Sequence, residues 1–193
     1  MRWLRASTLL ASLVTACSPA DGPAASADED PCVDGTYLLA GEVNDEACRT
    51  FLAWESSGQI VTSASLGPKL TAPVGPVQRA VAPTFAWTKG ALAHAAPSPW
   101  RRLLRALDPI PTAEAHGLIN GDAAVLIFRD GQQREVYRVM TSGTEFTPDG
   151  ATWQRVASSS ALSLALVGVR FADNAVARGT RPTQGPPVAL VIE

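Results

Sequence analysis

His94 and His116 are the only histidines in this 193-residue chain, and both fall in one segment, from about Gly90 to Leu118. Two imidazoles there could begin a copper or zinc site, or supply a general base. Zinc and copper centres want three or four ligands at defined spacing, and no cysteine, methionine or acidic cluster completes this pair. Glu114, beside His116, is the nearest further ligand, although adjacent side chains need not converge. The plainer alternative is a pair of loop histidines, solvated or bonded to backbone. Ser142, His116 and Asp122 supply the types of a Ser-His-Asp arrangement, a combination that composition alone offers. The chain lacks a Gly-x-Ser-x-Gly elbow, a His-Glu-x-x-His pair, a phosphate-cradling glycine loop and a dinucleotide fingerprint. The residues therefore point to a non-catalytic protein with no cofactor.

The three cysteines differ in setting. Cys17 directly follows Leu13-Val14-Thr15-Ala16, after basic Arg2 and Arg5 and an apolar stretch from Ala6 to Val14. These are the parts of a secretory signal, residues 1–16, with small side chains before the cut. The stretch falls short of the ~20 apolar residues that a transmembrane helix needs, and no later window supplies them. An ordinary signal peptide cleaved after Ala16 would leave Cys17 a bystander. The box instead resembles that of bacterial lipoproteins, over the first seventeen residues. The resemblance implies that Cys17 becomes the mature N-terminus, with a diacylglycerol on its sulfur and a further acyl chain, such as palmitate, on its amine. Each buried methylene contributes ~0.8 kcal/mol, and two or more chains anchor a protein stably to a membrane. Ser18, rather than Asp, resembles the outer-membrane class, which places the chain in the cell envelope and more at the outer membrane than the inner.

With Cys17 acylated in an oxidising compartment, Cys32 and Cys48 remain as an even pair, and a Cys32–Cys48 disulfide is expected. Its loop would contribute roughly 3 kcal/mol in the chain-entropy model. A metal or redox role is the alternative, but no histidine lies near and the Cys-x-x-Cys spacing is absent.

Stepping along the chain, residues 17–31 hold Ser, Pro, Ala, Gly and acid, with no large apolar side chain, and suit a flexible lipidated tether. Residues 32–66 form a small cysteine-stapled region: Thr36 to Val43 reads as a short strand or turn, Glu46 to Glu55 as an amphipathic helix. Residues 67–193 then read as a β-rich domain. Pro68, Pro73, Pro76 and Pro83 exclude a helix early on and fit a connector or edge strand. Phe85 and Trp87 alternate on one strand face, and Ala123 to Phe128 and Glu135 to Thr141 flank the turn signal Asp130-Gly131. Thr144 to Thr147 and Thr152 to Val156 read as shorter strands. Leu162, Leu164 and Leu166 alternate, and Val167, Val169 and Phe171 continue in the opposite phase, which predicts a bulge near Gly168. Pro187 to Ile192 gives a last strand.

Strands at this spacing predict an antiparallel β-sandwich. The Pro-Thr-Phe-Ala-Trp, Ala-Val-Leu-Ile-Phe and Thr-Glu-Phe-Thr-Pro-Asp segments, with the last two strands, resemble a fibronectin type III or immunoglobulin-like module from about Lys69 to Glu193. The segment at about 90–118 is an insertion relative to that module. It holds the best helix signal: Ser98 and Pro99 at the start, Trp100, Leu103, Leu104 and Leu107 on one face, and Asp108-Pro109 at the stop. Arg101, Arg102 and Arg105 would suit an anionic lipid surface, or simply solvent above a helix that closes the sandwich.

Fifteen glycines, fifteen prolines and 6% aromatic residues agree with strands joined by turns. The formal net charge is −2, acid collects before residue 50, and no long basic run suggests nucleic-acid binding. Among the aromatic candidates for sugar or peptide contact, Trp87 and Trp100 are expected to be packed and Trp153 to lie at the surface, with Trp54 left open. The sequence thus implies a non-catalytic, membrane-anchored envelope lipoprotein, a binding, adhesion or structural module with a protein or glycan partner. The alternative is a metal-handling or hydrolytic envelope protein working through His94 and His116.

Overall fold

The computed structural model describes residues 30–90, 117–159 and 161–193. In chain order these form β1 (Leu38–Ala40), α1 (Asp45–Ser56), β2 (Val61–Thr62), β3 (Lys69–Ala72), β4 (Phe85–Thr88) and β5 (Gly121–Asp130). They continue with β6 (Glu135–Thr141), β7 (Glu145–Phe146), α2 (Gly150–Val156), β8 (Ala161–Ala172), β9 (Ala175–Val176), β10 (Thr183–Gln184) and β11 (Val188–Val191). The described chain is therefore mainly β.

The long antiparallel pair β5–β8 is the centre, in unbroken register from Gly121 opposite Phe171 to Asp130 opposite Leu162. The β5–β6 hairpin extends it on one side, and β1 runs parallel to β6 at that edge. Along the other edge of β8 lie β11, β10 and β9, and β2 pairs parallel with β10 beyond. A separate antiparallel sheet has the order β3-β4-β7.

Both faces of the large sheet are buried, because β5 and β8 are apolar at both strand parities. Ala124, Leu126 and Phe128, with Val139, Leu162, Leu164 and Leu166, pack against Phe85 and Trp87 of β4 and against Trp153, Val156 and Ala157 in and just after α2. The Phe85 and Phe128 rings meet edge to face, centroids 5.1 Å apart. On the other face Val125, Ile127, Met140, Ala165, Val167 and Phe171 pack against Ala47, Cys48 and Phe51 of α1. The layers are thus α1, the large sheet, and the small sheet together with α2.

Double burial also explains the phase change in β8. Its even positions through Leu166 face the small sheet, and its odd positions from Ala165 to Phe171 face α1. No bulge is needed near Gly168, whose register with Ala124 is regular; the irregularity lies in the β5–β6 hairpin, between Phe128 and Arg129. Thr152 to Val156 is not a strand either. Asp149 caps α2 by accepting from the Thr152 N–H at 2.9 Å, and the capped turn overrides the β-branched residues that suggested extension. Trp153, expected at the surface, is 1% exposed and donates its Nε1–H to the Gln78 carbonyl at 3.2 Å.

The stapled region follows its sequence signals closely. Asn44 caps α1, accepting from the Ala47 N–H at 2.9 Å, and Asp45 and Glu46 complement the helix N-terminus. Cys48 on α1 is joined to Cys32 in a disulfide, with Cα atoms 5.9 Å apart, and both residues are buried.

Asp130 organises the β5–β6 connection. Its carboxylate accepts from the Gln132 and Arg134 N–H groups at 2.8 and 2.9 Å and from Arg134 Nε at 2.8 Å, while Gln133 supplies the left-handed residue at φ 63°. The backbone hydrogen bond from Arg134 is the main cause holding the Asp130 pKa below the usual carboxylate range. A depressed carboxylate pKa contributes stability that is complete above its unfolded value, about 3.9, and is lost as pH falls through the folded value. Acid titration of Asp130→Asn is therefore expected to show a smaller loss of stability below about pH 4 than the parent chain. Superimposable acid transitions would remove Asp130 from that account.

Candidate functional site at the open end of the sheet

On the face toward the small sheet, successive rungs of the β5–β8 pair change from large to small to charged. Leu126 lies opposite Leu166, Ala124 opposite Gly168, and Asp122 opposite Arg170. The Ala124–Gly168 rung leaves a low floor where the apolar layer would otherwise continue. Trp87, Lys89, Gly90, Pro68 and Gly143 complete a small cleft that opens to solvent.

Each wall has a local cause. The β4 alternation that buries Phe85 also buries Trp87, which is 4% exposed, and carries the chain out to Lys89 at the mouth. Gly90 sits against the backbone of Leu66 and Gly67; a Cβ there would lie 2.0 Å from the Leu66 carbonyl oxygen. Asp122 and Arg170 form a two-pronged pair: Arg170 Nε donates to Oδ1 at 2.6 Å and Nη2 to Oδ2 at 3.0 Å. The hydrogen bond to Asp122 raises the Arg170 pKa. Both side chains are partly exposed, so the pair organises the rim more than it stabilises the fold.

Trp87 carries the distinctive feature. Its Nε1–H is the one buried side-chain polar atom among the described residues with no hydrogen-bond partner. The indole of Trp153, by contrast, finds the Gln78 carbonyl. Chemically the cleft offers an indole donor, an ammonium group and an ion-paired carboxylate, a set suited to holding a polar group.

The residues singled out from sequence are distributed differently. Cys32 and Cys48 meet in the disulfide at α1. Cys17, His94, His116, Glu114 and the helix signal at 98–108 lie outside the described residues. Of the Ser142 and Asp122 combination, Ser142 Oγ accepts from the Glu42 N–H at 3.0 Å, and Asp122 holds Arg170. Among the described residues no group of three or more His, Cys, Asp or Glu could hold a metal ion, and no helix is long and apolar enough to cross a membrane. Sequence reasoning missed the cleft, although it placed Trp87 in the core, because neither the floor nor the unpaired N–H is a local property.

The two segments leading to the Gly90–Leu118 region are both fixed. Gly90 borders the cleft, and the Gly117 carbonyl accepts from Asn44 Nδ2 at 2.8 Å. Asn44 also donates to Asn174 Oδ1 at 3.0 Å, and Asn174 in turn donates to Glu46 at 2.7 Å.

No protein-family model matches the chain, and no curated protein or solved structure matches it significantly.

The cleft glycines separate by what surrounds them. A Cβ on Gly168 would meet Pro68 at 3.5 Å, ordinary contact, whereas one on Gly90 would strike backbone. Gly168→Ala is expected to change stability by less than about 1 kcal/mol, and Gly90→Ala to cost about 1–3 kcal/mol through overpacking. Denaturant unfolding of the two variants checks the contrast, and equal stabilities would refute it.

Proposed function

We propose that this chain is a lipid-anchored protein of a bacterial cell envelope, serving as a non-catalytic binding, adhesion or structural module. The observation that carries the reading is the buried Cys32–Cys48 disulfide, a bond that belongs to oxidising compartments outside the cytoplasm. With two of the three cysteines joined, Cys17 is the remaining one, and it stands directly after Leu13-Val14-Thr15-Ala16. The Ser-, Pro-, Ala- and acid-rich residues between Cys17 and Cys32 suit a tether between lipid and domain. Ser18, in place of the Asp of inner-membrane lipoproteins, resembles the outer-membrane class. A protein or glycan partner is the occupant such a module would serve.

For the immunoglobulin or fibronectin type III reading, the supporting feature is a small antiparallel sheet facing a larger one across an apolar layer. The parallel pairs β1–β6 and β10–β2, and α1 over the far face, depart from a module of two antiparallel sheets. The metal-handling or hydrolytic alternative through His94 and His116 depends on residues outside the described ones.

Cys17→Ser tests the anchor. The parent chain is expected to take up a fatty-acid analogue and to sediment with membranes, and the variant to lose both. Unchanged labelling or unchanged membrane association in the variant would overturn the lipid-anchored reading.

A further inference from the structure

We propose that the cleft between Trp87 and the Ala124–Gly168 floor is a carboxylate-binding site, with Trp87 Nε1–H as hydrogen-bond donor and Lys89 as counter-charge. The proposal does not depend on how the chain is anchored. A donor N–H buried without an acceptor is costly, and Trp87, a residue that lines the cleft and is 4% exposed, has one. The enclosed part of the cleft has room for a single group the size of a water molecule. An occupant therefore places one oxygen inside and leaves the rest of itself over the open mouth. The floor of Ala124 and Gly168 and the Pro68 wall are apolar, so they suit the aliphatic carbon next to a carboxyl group.

Charge selects an anion over a neutral carbonyl. Lys89 and Asp122 are the charged residues that line the cleft, and Asp122 is neutralised by Arg170, so Lys89 supplies the counter-charge. Glu145, whose backbone borders Gly143, carries an exposed side chain. Asp122 is already engaged by both prongs of Arg170, which limits its repulsion of an incoming anion. A free short-chain acid and the C-terminal carboxylate of a peptide share this chemistry.

The test uses the full chain with ¹⁵N-labelled tryptophan, observing the indole N–H resonances by NMR. Trp87→Phe, which removes the N–H, identifies the Trp87 resonance. Propionate, N-acetyl-glycyl-alanine and propionamide are titrated in turn. The expected result is a saturable shift of the Trp87 resonance with the carboxylates and none with propionamide. Tighter binding of the blocked dipeptide than of propionate would assign the site to peptide C-termini, and the reverse order to small free acids. Lys89→Ala, at an exposed position, is expected to weaken binding about tenfold, the scale of one charge-assisted contact. It also keeps the test decisive if Trp87→Phe fails to fold, since the affected indole resonance must then be the one that responds to loss of Lys89. The proposal is overturned if no carboxylate shifts the resonance saturably, if propionamide shifts it equally, or if Lys89→Ala binds as well as the parent.

Discussion

Everything else in this fold answers to the β5–β8 pair, ten rungs of antiparallel strand whose two faces are both apolar. Val125, Ile127, Val167 and Val169 cannot be left in water any more than Leu126, Phe128, Leu164 and Leu166 can, so the sheet needs a cover on each side. The small sheet and α2 cover one face. The other is closed by α1, whose apolar stripe of Ala47, Cys48 and Phe51 is too short to be a stable helix by itself. Two devices hold it down. The disulfide fixes its N-terminal half to Cys32, and near its end Glu55 takes the Arg138 guanidinium of β6 at 2.5 Å. Arg138 is 4% exposed, is shared with Glu135 at 2.6 Å, and lies 4.8 Å from the Tyr37 ring centre. Burial disfavours its charge, but the hydrogen bonds with Glu135 and Glu55 outweigh burial and raise its pKa. The cluster ties α1 to β6, and an ion pair of this kind is weak evidence of added stability.

The same central pair creates the cleft. Where its face toward the small sheet passes from leucine to alanine and glycine and then to an ion pair, the apolar layer ends before the strands do. Close backbone contacts seal the surroundings: a Cβ on Gly185 would lie 2.1 Å from the Pro68 carbonyl, much as Gly90 meets Leu66. The cleft is therefore a consequence of the layer running out at one end, and the unpaired indole N–H of Trp87 is what makes that end chemically distinct.

Local signals in the sequence were reliable where local physics decides. The amphipathic pattern from Glu46 to Glu55 marks α1, alternation marks β4, and Asp130-Gly131 marks the β5–β6 hairpin, although the left-handed residue is Gln133 and not Gly131. Signals failed where burial on both sides erases periodicity. The β8 phase change reads as a bulge only if one face is assumed to be wet. Thr152 to Val156 reads as extended until the Asp149 cap is weighed, and Trp153, expected at the surface, is buried on the helix that this cap starts. The cleft was illegible for a further reason. Its floor joins Ala124 to Gly168, far apart in the chain, and whether an indole finds an acceptor is decided only by tertiary packing.

Native-state hydrogen exchange tests the central claim, that α1 and both sheets close one cooperative core around β5–β8. With the disulfide intact, amides of α1 around Phe51 are expected to exchange through the same global opening as those of Val125 and Val167. Exchange of the α1 amides through a separate, much more frequent opening, while β5 and β8 stay fully protected, would contradict it.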